Sequence, residues 1–76
     1  MARAVRYKEL DDVYAPKPLP EIGVRSGDRG VVVEVFDHPT RAVMVEYADL
    51  EGQTKAIVLY SWNLERVFEV VPERSS

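Results

Sequence analysis

Val31-Val32-Val33-Glu34-Val35-Phe36, Ala42-Val43-Met44-Val45-Glu46-Tyr47 and Thr54-Lys55-Ala56-Ile57-Val58-Leu59-Tyr60 follow one another with only short polar breaks. Each run is rich in β-branched and aromatic residues, alternates with period two, and has the length of a strand. The breaks, Asp37-His38-Pro39-Thr40-Arg41 and Asp49-Leu50-Glu51-Gly52, carry the Asp, Pro and Gly of tight turns. Three consecutive strands form an antiparallel meander, and a chain of 76 residues has room for little beside it.

Alternation also predicts a register. With Gly52 left-handed in the second turn, Glu46 faces Lys55, Met44 faces Ile57 and Ala42 faces Leu59 on one side. Val45 then faces Ala56 on the other. The Glu46–Lys55 pair joins opposite charges across the strands. The first turn closes with Phe36 opposite Ala42, Glu34 opposite Met44 and Val32 opposite Glu46. The predicted core side holds Val31, Val33, Val35, Val43, Val45 and Tyr47.

Outward from the meander, Leu10 to Ala15 reads as a short first strand with Val13 in the core. Pro16-Lys17-Pro18-Leu19-Pro20 fixes φ three times in five residues and predicts a stiff extended loop. Ser61-Trp62-Asn63-Leu64 suits one 3₁₀ turn, and Arg66 to Val71 a last strand before Pro72. Residues 1–76 thus read as one domain with its core at about 9–71 and loosely attached termini. The fold class is all-β, a small five-stranded SH3-like barrel with a 3₁₀ turn before the last strand. An OB-fold needs a helix between its third and fourth strands, and no stretch here supplies one.

The stretch Leu19-Pro20-Glu21, Gly23-Val24, Gly27-Asp28, Gly30, Val32-Val33-Glu34-Val35 resembles the signature of a family of small bacterial stand-alone proteins catalogued as a domain of unknown function. Val45-Glu46-Tyr47, Gly52, Thr54, Ala56, Leu64 and Val67 extend the resemblance over roughly residues 9 to 71. It implies an SH3-like barrel with no enzymatic activity and no established cofactor. Where relatives often carry a His after the Pro-Glu pair, this chain has Ile22.

Composition narrows the function. The hydrophobic fraction of 46% fits a folded domain, while so short a chain is marginally stable. Without cysteine it has neither disulfides nor thiolate zinc sites. A net charge of −3 disfavours nucleic acid, and the Arg3-Arg6-Lys8 cluster is followed at once by Glu9, Asp11 and Asp12. No apolar run approaches the roughly 20 residues of a membrane span, and the start lacks a signal peptide's apolar core, so a cytoplasmic protein is expected. Gly23, Gly27 and Gly30 lack the Gly-Lys-Ser/Thr ending and the helix of a phosphate loop. A single His at position 38, no Cys and no nucleophile–base pair argue against an enzyme. Asp49 and Glu51 share a loop without metal-site spacing, so neither metal nor cofactor is expected.

Two surfaces remain for a protein partner or a homodimer. The outward face of the meander carries Phe36, Met44, Ile57 and Leu59 with Val32 and Ala42, interrupted by Glu34, Glu46 and Lys55. It is either exposed or covered by an N-terminal segment containing Val5 and Tyr7. The second surface is aromatic. Tyr14 and Trp62, with Pro16, Pro18 and Tyr60, would line a shallow groove for an extended peptide; alternatively Trp62 plugs an open barrel end. A nucleic-acid-associated barrel is the alternative reading, and no small-molecule substrate is evident.

Overall fold

The computed structural model describes residues 7–72; the lead-in with Arg3, Val5 and Arg6, and the tail at 73–76, lie outside the described residues. Five strands, β1 (Asp12–Tyr14), β2 (Arg29–Phe36), β3 (Ala42–Ala48), β4 (Thr54–Ser61) and β5 (Val67–Pro72), form one antiparallel sheet in the order β1-β2-β3-β4-β5. The all-β class and the five-strand order agree with the sequence. In the described sheet β1 pairs only with β2 and β5 only with β4, so hydrogen bonding does not close it into a barrel.

Each of the three long ladders contains one extra residue. On β2, Val32 pairs with Val45 and Glu34 with Met44, which leaves Val33 unpaired. On β4, Ala56 pairs with Tyr47 and Thr54 with Ala48, which leaves Lys55. On β5, Glu69 pairs with Leu59 and Val67 with Tyr60, which leaves Phe68. An unpaired residue bends its strand and reverses which side chains face inward beyond it.

That reversal corrects the predicted core. Beyond the bulge the expected pairs hold, with Glu34 opposite Met44 and Phe36 opposite Ala42. Before it they slip by one. Val31 faces Glu46 and stays half-buried, while Val32, expected outside, is fully buried opposite Val45. In the second hairpin the slip is two residues. Met44 faces Leu59, Glu46 faces Ile57 and Val45 faces Val58. A shift of two preserves the faces, so Val43, Val45 and Tyr47 are buried as expected. The Glu46–Lys55 ion pair does not form: Glu46 accepts a hydrogen bond from the Thr54 hydroxyl, and Lys55 Nζ donates to the Gly23 carbonyl at 2.9 Å.

The single 3₁₀ turn among the described residues is not before the last strand. It spans Pro20–Ile22 in the loop after β1, with Pro20 at its first position and Gly23 closing it at φ +72°. The loop is held at both ends by Ala15 N–H to Asp28 O and Gly27 N–H to Ala15 O, both 2.8 Å. It folds back and buries Leu19 and Val24 in the core. The expected 3₁₀ stretch at Ser61–Leu64 is instead a turn in which Leu64 N–H donates to Ser61 O at 2.9 Å. Leu64 turns left-handed at φ +64° and is buried. Gly52 is left-handed as predicted, at φ +85°.

The core joins Val13 from β1 and Val32 from β2 to Val43, Val45, Tyr47, Val58 and Tyr60, and Val67 and Val70 of β5 pack against it. Gly30 lies buried against this core. A Cβ there would sit 2.5 Å from Val45 Cγ1 and 2.8 Å from Tyr47 Cε1, closer than side chains approach. Tyr47 and Tyr60 bury their rings and share one hydroxyl–hydroxyl hydrogen bond of 2.7 Å. Burial pushes the Tyr47 phenol well above its ordinary range, and the bond to Tyr60 adds to the rise. Burial also raises Tyr60, while the shared hydroxyl–hydroxyl bond partly offsets the rise.

Two outcomes follow. Gly30→Ala is expected to lower unfolding free energy by about 1–3 kcal/mol through overpacking. A second change, Val45→Ala, should cost less in that background than alone, as urea titrations of the four chains would measure. Tyr47→Phe should cost about 1–3 kcal/mol because it strands a buried hydroxyl, whereas Tyr47→Phe with Tyr60→Phe should cost less. The pH dependence has a definite sign. The unfolded phenols lose their protons near pH 10 while the folded ones keep theirs. Stability from this pair is therefore complete below about pH 10 and falls as pH rises beyond it, and the double phenylalanine variant should fall less steeply.

Candidate functional site

The register lays out the sheet's outer face in rows. One row reads Asp12, Val31, Glu46, Ile57, Val71, and the next Glu34, Met44, Leu59, Glu69. Met44, Ile57, Leu59 and Val31 are half-buried, and Val71 is half-exposed. The rows thus hold five apolar side chains among four carboxylates and no lysine or arginine. Arg29, one row further along, reaches Asp12 at 3.9 Å, and both are largely exposed. Lys55, expected on this face, is drawn to the Gly23 turn by its bulge.

Tyr14 and Trp62 do not share a groove. Tyr14 pairs with Arg29 at the start of β2, is largely exposed, and stands on the order of 20 Å along that strand from the end where Trp62 lies. Tyr60, expected in the same groove, is in the core. Trp62 is half-buried beside the end of the sheet, with the Arg41 guanidinium 5.2 Å from its ring centroid. The turn that carries it is closed by Ser61, whose hydroxyl donates to Asn63 Oδ1 at 2.8 Å and accepts from Arg66 N–H at 3.1 Å.

Around Trp62 opens a cleft of about 400 Å³, lined by Tyr7, Lys8, Phe36, Arg41 and Val43, with Asp37 at one side. Phe36 therefore belongs to this end of the sheet rather than to the Met44 patch. Tyr7, one of the residues expected to cover the outer face, lines the cleft and packs against the core. Val5 lies outside the described residues. Arg41 escapes a sequence reading because the expected Ala42–Leu59 pairing puts Trp62 beyond the ladder, and Lys8 because nothing in the alternation places the segment before β1. The observed Ala42–Ser61 pairing brings residues 41 and 62 side by side.

No group of three or more His, Asp or Glu side chains able to hold a metal occurs among the described residues, and no described helix is long and apolar enough to cross a membrane. Residues 9–62 match the family described as Domain of unknown function (DUF4926), well over half of the chain, and the protein belongs to that family. No curated protein and no solved structure gives a significant match.

The stacked pair is testable alone. Arg41→Ala should cost about 0.5–1 kcal/mol, the value of an exposed cation–π contact. It should also change the emission of Trp62, both read in one fluorescence-monitored urea titration.

Proposed function

We propose that this chain is a non-catalytic protein-binding module, an SH3-like barrel with an open seam. In this reading the outer face of its sheet docks a partner whose apolar centre is ringed by Lys and Arg. The composition of the two middle rows carries it: Met44 and Leu59 stand between Glu34 and Glu69, beside Val31, Glu46, Ile57 and Val71. Burial of the aliphatic side chains supplies affinity, and the carboxylates select orientation and partner. The barrel description draws its support from five antiparallel strands in meander order, three strand irregularities that coil the sheet, and one core fed by both β1 and β5. A bacterial, cytoplasmic setting is part of the reading, supported by the resemblance of Leu19 to Val35 to small bacterial stand-alone proteins.

The same face is a poor match for itself. A two-fold dimer presents the patch to its own copy, so Glu34, Glu46 and Glu69 would meet apolar side chains or other carboxylates and no cation from these rows. A different chain is therefore the favoured partner over a second copy. Nucleic acid fits less well still, since these rows offer carboxylates and no cation to a phosphate backbone.

Light scattering should return the mass of one chain. Immobilised protein should retain a partner that the folded Leu59→Asp variant and the Glu34→Lys/Glu69→Lys double variant both lose, with retention by the native chain weakening as salt rises. A dimer that Leu59→Asp splits would overturn the choice of a different chain.

A further inference from the structure

We infer that the cleft at the Trp62 end binds a carboxylate joined to a flat or branched apolar group. This site is independent of the outer face. Its walls are mostly apolar, from Tyr7, Phe36, Val43 and Trp62, and its volume of about 400 Å³ suits one small ligand or one terminal residue. Lys8 and Arg41 line it with one carboxylate, Asp37, so its charged residues sum to a single positive charge on a chain of net charge −3.

Among the described residues neither Lys8 nor Arg41 makes a salt bridge; the one ion pair is Arg29 with Asp12. Arg41 is also positioned in advance, because the Trp62 ring attracts the guanidinium, 5.2 Å from its centroid, and no described carboxylate pairs with it. A planar fork of donors matches a carboxylate's two oxygens. A doubly charged phosphate suits the cleft less well, since one net positive charge balances a single carboxylate and leaves half of a dianion's charge unmatched. A neutral ligand leaves the guanidinium edge unmatched. The same chemistry has two sources, a free small acid or the C-terminal residue of a polypeptide.

The experiment is a titration with phenylacetate and with phenylacetamide. It follows the emission of Trp62, the chain's one tryptophan, and the backbone amide shifts of Phe36 and Val43. Phenylacetate should give a saturable change, with the amide weaker by about tenfold or more, as a hydrogen bond to a charged group predicts. Arg41→Gln should remove that difference in the amide shifts, and Asp37→Asn should tighten the acid. A tripeptide ending in a free apolar residue that binds more tightly than phenylacetate, and loses this on amidation, assigns a polypeptide terminus. Tighter binding of phenylacetate assigns a free acid. Equal binding of acid and amide, or no saturable change up to about 10 mM, overturns the site.

Discussion

One extra residue in each long ladder is the constraint on which the molecule depends. A flat five-stranded sheet would present one continuous apolar face and could not fold it inward. Val33, Lys55 and Phe68 each break a ladder once, and each break adds bend and twist. The coiled sheet lets Val13 of β1 and Val70 of β5, at opposite edges, serve one core. The loop after β1 completes it with Leu19 and Val24. Gly30 permits the tightest approach, since Val45 and Tyr47 occupy the space a side chain would need.

These irregularities also explain what the sequence conceals. Strand existence, order and turn chemistry are legible because they rest on composition and spacing, as with Val43-Met44-Val45 and Gly52. Register rests on counting, and one unpaired residue defeats the count. Val31-Val32-Val33 cannot reveal its bulge, because three identical side chains offer no contrast between faces. Lys55 looks like a partner for Glu46, yet its long side chain ties down the Gly23 turn. Met44, Ile57 and Leu59 kept their side because their slip was even, whereas Val32 and Ala42, expected beside them, are buried and Phe36 lines the cleft at the Trp62 end. The aromatic groove did not form, because an SH3-type arrangement would set Tyr14 beside Trp62, whereas pairing with Arg29 places Tyr14 at the other end of β2. Pro20 likewise served a 3₁₀ turn where three prolines suggested only extension.

The arrangement separates charge that the overall balance blurs. The chain is acidic by three charges, but the acid is not spread evenly. Glu34, Glu46 and Glu69 stand on the outer face without a cation among them, whereas Lys8 and Arg41 gather at the Trp62 end. Asp49 turns its carboxylate to the Glu51 and Gln53 N–H groups of its own loop, and Asp28 caps Arg25 N–H in the same manner. Glu34 and Glu69 are exposed on that face and Glu46 is tied to Thr54, while Asp49 and Asp28 organise their own turns.

Finally, in the described sheet, where β1 and β5 do not pair, two strand margins carry main-chain donors and acceptors that are a standing invitation to growth by stacking copies. Each margin is blunted. β1 is three residues long, too brief to template a neighbour. β5 ends in a proline that has no donor to offer, and it carries both an irregularity at Phe68 and the charge of Glu69. A sheet without full closure can thus stay dispersed at concentrations where a smooth, uncharged margin would seed fibrils.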